Sequence, residues 1–141
     1  MYTKLIDEAR KAMKNAYSPY YKFYVGSAVL TKSGKIYSAG NIGAVVGGAE
    51  ICAERAALTK AISEGERDFE AIAVIGNTDN PITPCGVCRQ FIIEFGKNIK
   101  IIMANTNGKI VVREINQLLP YPFLKEVILT DQSFHESKTS T

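Results

Sequence analysis

TPCGVCRQF, residues 83–91, places Cys85 and Cys88 three positions apart immediately after a proline. Side chains three apart on a helix lie on the same face, so both sulfurs can reach one common atom. At a helix N-terminus, the partial positive charge and the free N–H groups also stabilise thiolates. These features fit a redox pair, half of a metal site, or two buried packing residues.

The same stretch predicts where its helix begins and ends. Thr83 is a favoured N-cap residue, Pro84 suits the first turn, and Gly96 is a typical helix terminator. The spacing of apolar side chains predicts two further helices, at residues 2–16 and 52–64.

Five apolar segments bounded by turn residues predict strands. They are residues 23–30, 35–41, 71–76, 100–105 and 109–114. The first two flank a Lys-Ser-Gly turn and predict a β-hairpin. The run at 71–76 is continuously apolar, which predicts a strand buried on both faces. The order α-β-β-α-β-α-β-β predicts an α/β fold in which helices cover both faces of one sheet.

Size and charge restrict the possible functions. The chain has 141 residues with a net charge of +3, so we expect a single domain at 1–129 and a polar, mobile tail at 130–141. The charges are scattered, which argues against a nucleic-acid partner. The N-terminus lacks the apolar core of a signal peptide, and no apolar run approaches the roughly 20 residues that cross a membrane. We therefore expect a cytoplasmic protein without membrane contact.

The third cysteine distinguishes between the interpretations of the cysteine pair. Only three cysteines are present, and an odd number argues against a disulfide framework. Cys52 opens another predicted helix, and two helices that start at the same end of a sheet can direct three thiolates to one zinc ion. Three protein ligands and one open position are typical of a catalytic zinc. The only histidine, His135, lies in the polar tail.

Glu54 follows Cys52 by two positions. It can reach a zinc-bound water and act as general base and then general acid. Each feature alone has an ordinary explanation: a CxxC pair can be redox-active, a free cysteine can be packing, and a glutamate can be a surface residue. Together they favour zinc, because a redox pair leaves Cys52 and Glu54 without a role.

These motifs resemble the signature of the zinc-dependent nucleoside and nucleobase deaminases, and most closely the small homotetrameric cytidine deaminases. The resemblance runs from Tyr17 to Phe123, through the segments AYSPYYKFYVGSAVL, GNIG, ICAERAAL, TPCGVCRQFIIEF and LLPYPF. It implies a three-layer α/β/α cytidine-deaminase-like fold with a five-stranded mixed sheet. It also implies one catalytic domain, one zinc ion per subunit and a homotetramer.

The resemblance further implies hydrolytic deamination of cytidine or deoxycytidine in pyrimidine salvage. Zinc bound to Cys52, Cys85 and Cys88 would lower the pKa of its water from 15.7 toward about 7, and the hydroxide would attack C4 of the base. Glu54 would take the water proton, deliver it to N3 and help ammonia to leave.

Other site residues are also implied by the resemblance. Phe23 would pack on the base, backbone groups at Ala53 and Pro84 would hold the base and the leaving amine, and Phe123 would reach a neighbouring subunit's pocket. Both phenylalanines have an ordinary alternative as core residues. Arg55 would hydrogen-bond the ligand sulfurs and offset their charge, and its alternative is a surface arginine.

The sugar-binding motif departs from the family pattern, which is N-x-E-N. Here Asn41 is present, but Gly43 replaces the carboxylate that would hold the sugar 3′-hydroxyl. Gly47 stands where the family usually has tyrosine. Since these positions bind the sugar and not the base, the chemistry is expected to be intact while the substrate is open.

Three functions follow from this departure. The first is deamination of cytidine or deoxycytidine, with the sugar recognised in another way. The second is deamination of a modified cytosine nucleoside, as in the similar blasticidin S deaminases. The third is a non-catalytic zinc-binding module or a polynucleotide-editing deaminase, which an intact Glu54 and the mild net charge disfavour.

Overall fold

A computed structural model describes residues 2–131 and residue 133. Five strands form one sheet in the order β2-β1-β3-β4-β5. Their bounds are β1 (Val25–Thr31), β2 (Ile36–Gly40), β3 (Phe69–Gly76), β4 (Lys100–Asn105) and β5 (Ile110–Glu114). Only the β3–β4 pair is parallel, so the sheet is mixed, as predicted.

Within the described part of the chain, five helices accompany the sheet. Their bounds are α1 (Thr3–Ala12, continued by a 3-10 turn at Met13–Asn15), α2 (Ala53–Ser63), α3 (Gly86–Ile93), α4 (Ile115–Leu118) and α5 (Lys125–Thr130). The prediction lacked α4 and α5, because four and six residues are too short to show helical periodicity. None of the described helices is long and apolar enough to cross a membrane. Most of the predicted tail, including His135, lies outside the described residues.

The strand β3 is buried on both faces, which confirms the sequence prediction. Ile72 and Val74 belong to the core cluster that contains residues of α2 and α3. The alternating residues Ala73 and Ile75 belong to the opposite cluster, which contains residues of α1. Helices therefore cover both faces of the sheet, and the architecture is α/β/α.

The start of α3 differs from the prediction. The N-cap is Cys85 and not Thr83, and Pro84 precedes the helix instead of entering its first turn. The Cys85 sulfur accepts the backbone N–H of Cys88 at 3.5 Å, so the cysteine itself caps the helix. The helix also ends before Gly96, at Ile93.

The two helices that carry the cysteines begin at the same end of the sheet, as predicted. The strand β1 is antiparallel to both β2 and β3, so β2 and β3 run in one direction. Because α2 follows β2 and α3 follows β3 along the chain, both helix N-termini lie where these strands end. The chain also enters β1 there, since Val25 pairs with Gly76, the last residue of β3.

The opposite face of the sheet depends on close contact between α1 and β1. A Cβ atom on Gly26 would lie 1.9 Å from the carbonyl oxygen of Ala9 and 2.9 Å from the backbone nitrogen of Met13. Both are backbone atoms, so they cannot move aside unless the helix moves with them. The missing side chain at Gly26 thus sets the distance between α1 and the sheet.

We expect Gly26→Ala to lower the free energy of unfolding by at least about 2 kcal/mol, because the added methyl group overpacks the α1 interface. Urea unfolding followed by circular dichroism measures the change. The control is Gly47→Ala, where a Cβ atom would meet nothing within 4 Å. Equal stability of the two variants would contradict the proposed contact.

Candidate active site and metal centre

Three cysteine sulfurs converge where α2 and α3 begin. Cys52 is the N-cap of α2 and Cys85 is the N-cap of α3, while Cys88 lies in the first turn of α3. The three sulfurs all lie within 4.8 Å of one another. The interpretation of Cys85 and Cys88 as partners of Cys52 therefore agrees with the geometry.

The spacing of the sulfurs fits zinc. The sulfurs of Cys52 and Cys85 are 3.7 Å apart, and two thiolates of a tetrahedral site with Zn–S bonds of about 2.3 Å would be separated by about 3.8 Å. The chain contains no fourth cysteine. Three ligands from one chain leave one position of a tetrahedral ion for a water or a substrate.

A partly buried arginine lies against the sulfurs. Nη2 of Arg55 is 3.5 Å from the sulfur of Cys52. Hydrogen bonds, from Cys88 first and then from Arg55 and Cys85, hold the pKa of Cys52 well below its usual value. In return, the sulfurs of Cys52 and Cys88 raise the pKa of Arg55. Nε of Arg55 is buried without a hydrogen-bond partner among the described residues, so the guanidinium contacts the site through Nη2.

Glu54 lies in the first turn of α2 and is buried. Burial raises the pKa of Glu54 to about 7, and the negative charge of Cys52 adds to this effect. A carboxyl group with such a pKa exists in both protonation states near neutral pH. It can therefore accept a proton in one step and donate it in the next.

A cavity of about 510 Å³ opens beside the sulfurs, which is within the usual range for a small-molecule site. Its walls bring together residues from distant parts of the sequence. They include Phe23, Asn41, Cys52, Ala53, Glu54 and Cys85. Six of the residues predicted for the site thus line one cavity.

The segment that carries Phe23 is held on two sides by asparagines. Oδ1 of Asn41 accepts the N–H of Val25 at 2.9 Å, and its Nδ2 donates to the carbonyl of Phe23 at 3.0 Å. Oδ1 of Asn77 accepts the N–H of Tyr24 at 3.1 Å. Asn41 thus positions the cavity wall through both of its amide atoms, a role that the motif alone did not reveal.

Pro84 and Phe123 do not line this cavity. Pro84 is buried, and its carbonyl accepts Nε of Arg89 at 2.7 Å. Phe123 lines a different surface cavity with residues 93–97, and its carbonyl accepts Nε2 of Gln90 at 2.7 Å. The contact expected of Phe123 is with the pocket of a neighbouring subunit, which a single chain does not contain. This contact therefore stays a prediction.

The two glycines of the altered motif have different surroundings. A Cβ atom on Gly43 would lie only 3.2 Å from the carbonyl oxygen of Tyr17, and the N–H of Gly43 donates to that same oxygen at 2.6 Å. A side chain at Gly43 would therefore push against the 17–19 segment. Gly47 has open space around it.

Sequence reasoning missed several residues that build the site. Asn77 and Arg89 act through backbone carbonyls and N–H groups, which no short motif indicates. Tyr21 and Glu50 line the cavity from segments whose approach depends on the folded loop. A prediction of the loop pairing would have been needed to find them.

Comparison with known proteins gives a consistent picture. Residues 1–106 match the family model described as the cytidine and deoxycytidylate deaminase zinc-binding region. The chain is 44% identical over 124 residues to a cytidine deaminase of Sporosarcina psychrophila, covering 87% of this chain and 91% of that protein. It is 32% identical over 112 residues to a blasticidin-S deaminase of Bacillus cereus, covering 74% and 79% of the two chains.

A solved structure has the same fold. The crystal structure of cytidine deaminase from Burkholderia pseudomallei superimposes with a TM-score of 0.85 at 40% identity, covering 87% of this chain and 99% of that chain.

We expect Arg55→Ala to lower zinc affinity or turnover about 10- to 100-fold, because the variant loses the positive charge that offsets the thiolates. Competition with a colorimetric chelator measures the zinc affinity. The control is Arg10→Ala, on the exposed side of α1, which should leave both quantities unchanged. Unchanged zinc affinity and an unchanged rate in Arg55→Ala would show that Arg55 has no such role.

Proposed function

Because the chain belongs to the cytidine and deoxycytidylate deaminase family, we propose that it removes the 4-amino group of a cytosine nucleoside by hydrolysis. The products are the corresponding uracil nucleoside and ammonia. The observation that carries this proposal is the presence of Glu54 in the same cavity as the zinc-binding sulfurs. Zinc is the cofactor, and Cys52, Cys85 and Cys88 are its proposed ligands.

Zinc and four residues of the chain have separate roles in the proposed reaction. Zinc, when bound, activates a water molecule as the nucleophile. Glu54 moves one proton of this water to N3 of the base, and it then moves the proton of the new C4 hydroxyl group to the departing amine. Phe23, held by Asn41, packs on the base from the other side of the cavity. Arg55 stabilises the thiolate of Cys52 by placing a positive charge beside it.

The charges of the cavity favour a nucleoside over a nucleotide. Two carboxylates, Glu50 and Glu54, are among its lining residues, and the described lining residues include no lysine and no arginine. A 5′-phosphate would therefore approach negative charge without a cation to pair with, which costs binding energy. We thus infer that cytidine and deoxycytidine are preferred to deoxycytidylate.

A modified cytosine nucleoside is the second candidate substrate. The observation that favours it is Gly43, since this position lacks the carboxylate of the family motif. One of the relatives is a blasticidin-S deaminase. The larger share of identity with cytidine deaminases places the unmodified nucleosides first.

We also propose that the chain forms a homotetramer. Large apolar side chains are exposed near the C-terminus: Tyr121, Phe123 and Val127 all have more than half of their surface accessible. Burial of such side chains is the usual reason for association. Light scattering should give four times the 15.5 kDa mass of the chain, whereas the mass of a monomer would overturn the assembly and with it the proposed role of Phe123.

A cytoplasmic location, a role in pyrimidine salvage and the lack of a nucleic-acid partner complete the proposal. The net charge of +3 on 141 residues is small for a protein that follows a phosphate backbone.

We expect Glu54→Gln to lower kcat/KM for cytidine by about 10²- to 10⁴-fold, because the amide cannot carry the proton. The loss of the cytosine absorbance measures turnover, and zinc content shows that the metal is retained.

Glu64→Gln is the matched control, since Glu64 is exposed at the opposite end of α2. This variant should turn over cytidine at the normal rate. Full activity of zinc-loaded Glu54→Gln would overturn the mechanism.

Deoxycytidylate serves as the charged substrate control, and turnover equal to that of deoxycytidine would contradict the nucleoside preference.

A further inference from the structure

The loop between β2 and α2 returns on itself. A single antiparallel bridge pairs Ile42 with Ile51, and each residue donates its N–H to the carbonyl of the other at 2.9 Å. Gly48, at φ 91°, lies in the turn between them. In this register, the residue after Ile42 faces the residue before Ile51. Gly43 and Glu50 therefore lie opposite one another.

Residues next to the same bridge lie near one another, because the two arms of the loop are held together at Ile42 and Ile51. A side chain at position 50 thus leaves the backbone beside the place from which a side chain at position 43 would leave it. Both Gly43 and Glu50 line the cavity that contains the cysteine sulfurs. A carboxylate is therefore available on the same wall, from the other arm of the loop.

A side chain at position 43 would press against the backbone of Tyr17. The backbone of Tyr17 lies so close that a Cβ atom on Gly43 would be 3.2 Å from its carbonyl oxygen. Glu50, in contrast, is exposed, and the described residues offer its side chain no hydrogen bond or ion pair. Its carboxylate is thus free to accept a hydrogen bond from a ligand in the cavity.

We propose that Glu50 is the sugar-binding residue of this chain, and that its carboxylate accepts hydrogen bonds from the sugar hydroxyls of the nucleoside. The inference rests on the proposed deaminase function and names the residue that gives it sugar specificity. Glu54 serves the base at the bottom of the cavity, where it is 5% exposed, and Glu50 serves the sugar at its rim. Glu50 thus supplies, from the other side of the Ile42–Ile51 bridge, the carboxylate that the family motif has at position 43.

The test measures binding in place of turnover, with zinc-loaded, full-length Glu54→Gln protein and isothermal titration calorimetry. Cytidine is compared with 2′,3′-dideoxycytidine, which has the same base but lacks both hydroxyls. We expect cytidine to bind about 10- to 100-fold more tightly, as is typical of hydrogen bonds to a charged acceptor. Adding Glu50→Ala should reduce this preference to less than about threefold, since the hydroxyls then lose their partner.

Glu64→Ala is the control substitution in the same background, and it should leave the preference unchanged. A preference that survives Glu50→Ala overturns the role of Glu50 and leaves the deaminase function standing. Failure of cytidine to bind the zinc-loaded protein at all overturns both. Blasticidin S carries cationic groups, so a larger loss for blasticidin S than for cytidine would overturn the sugar assignment in favour of a cationic substituent.

Discussion

The convergence of two helix N-termini at one end of the sheet is the constraint on which the site depends. Since β2 and β3 run in the same direction, the helices that follow them start side by side. Cys52 and Cys85 are the N-caps of these helices. The sheet thus fixes the distance between two of the sulfurs before any metal binds.

This arrangement determines the local electrostatics. Three thiolate ligands would give a zinc site one net negative charge, which would weaken the ion as a Lewis acid. Two helix N-termini and the guanidinium of Arg55 place positive charge around the sulfurs. Glu54 lies beside them but is buried, so the same region that favours charged sulfurs also raises the pKa of its carboxyl group. The site combines Cys52, whose pKa is lowered, with a carboxyl group that can exchange protons. The hydrogen bond with Cys52 and burial raise the pKa of the Cys88 thiol.

Much of this could be predicted from the sequence. Five strands and three long helices follow from apolar periodicity, and the cysteine spacing with Glu54 indicates a catalytic zinc. The prediction failed where the deciding contact is not periodic. The N-cap at Cys85 depends on a sulfur that accepts a backbone N–H, although Thr83 has the stronger general preference for that position. Arg89 and Asn77 bind backbone groups of remote segments, so the residues next to them in the sequence do not indicate their roles.

The altered sugar motif shows why sequence order alone misses part of the site. In the sequence, Gly43 lacks the carboxylate that the family motif has at that position. In the folded loop, the bridge between Ile42 and Ile51 sets Glu50 opposite Gly43. The backbone of Tyr17 lies close to Gly43, where a Cβ atom would be 3.2 Å from its carbonyl oxygen. The arm of the loop that contains Gly43 lacks the carboxylate, and the arm that contains Glu50 can supply one. This is possible because register, and not sequence distance, determines which side chains share a face.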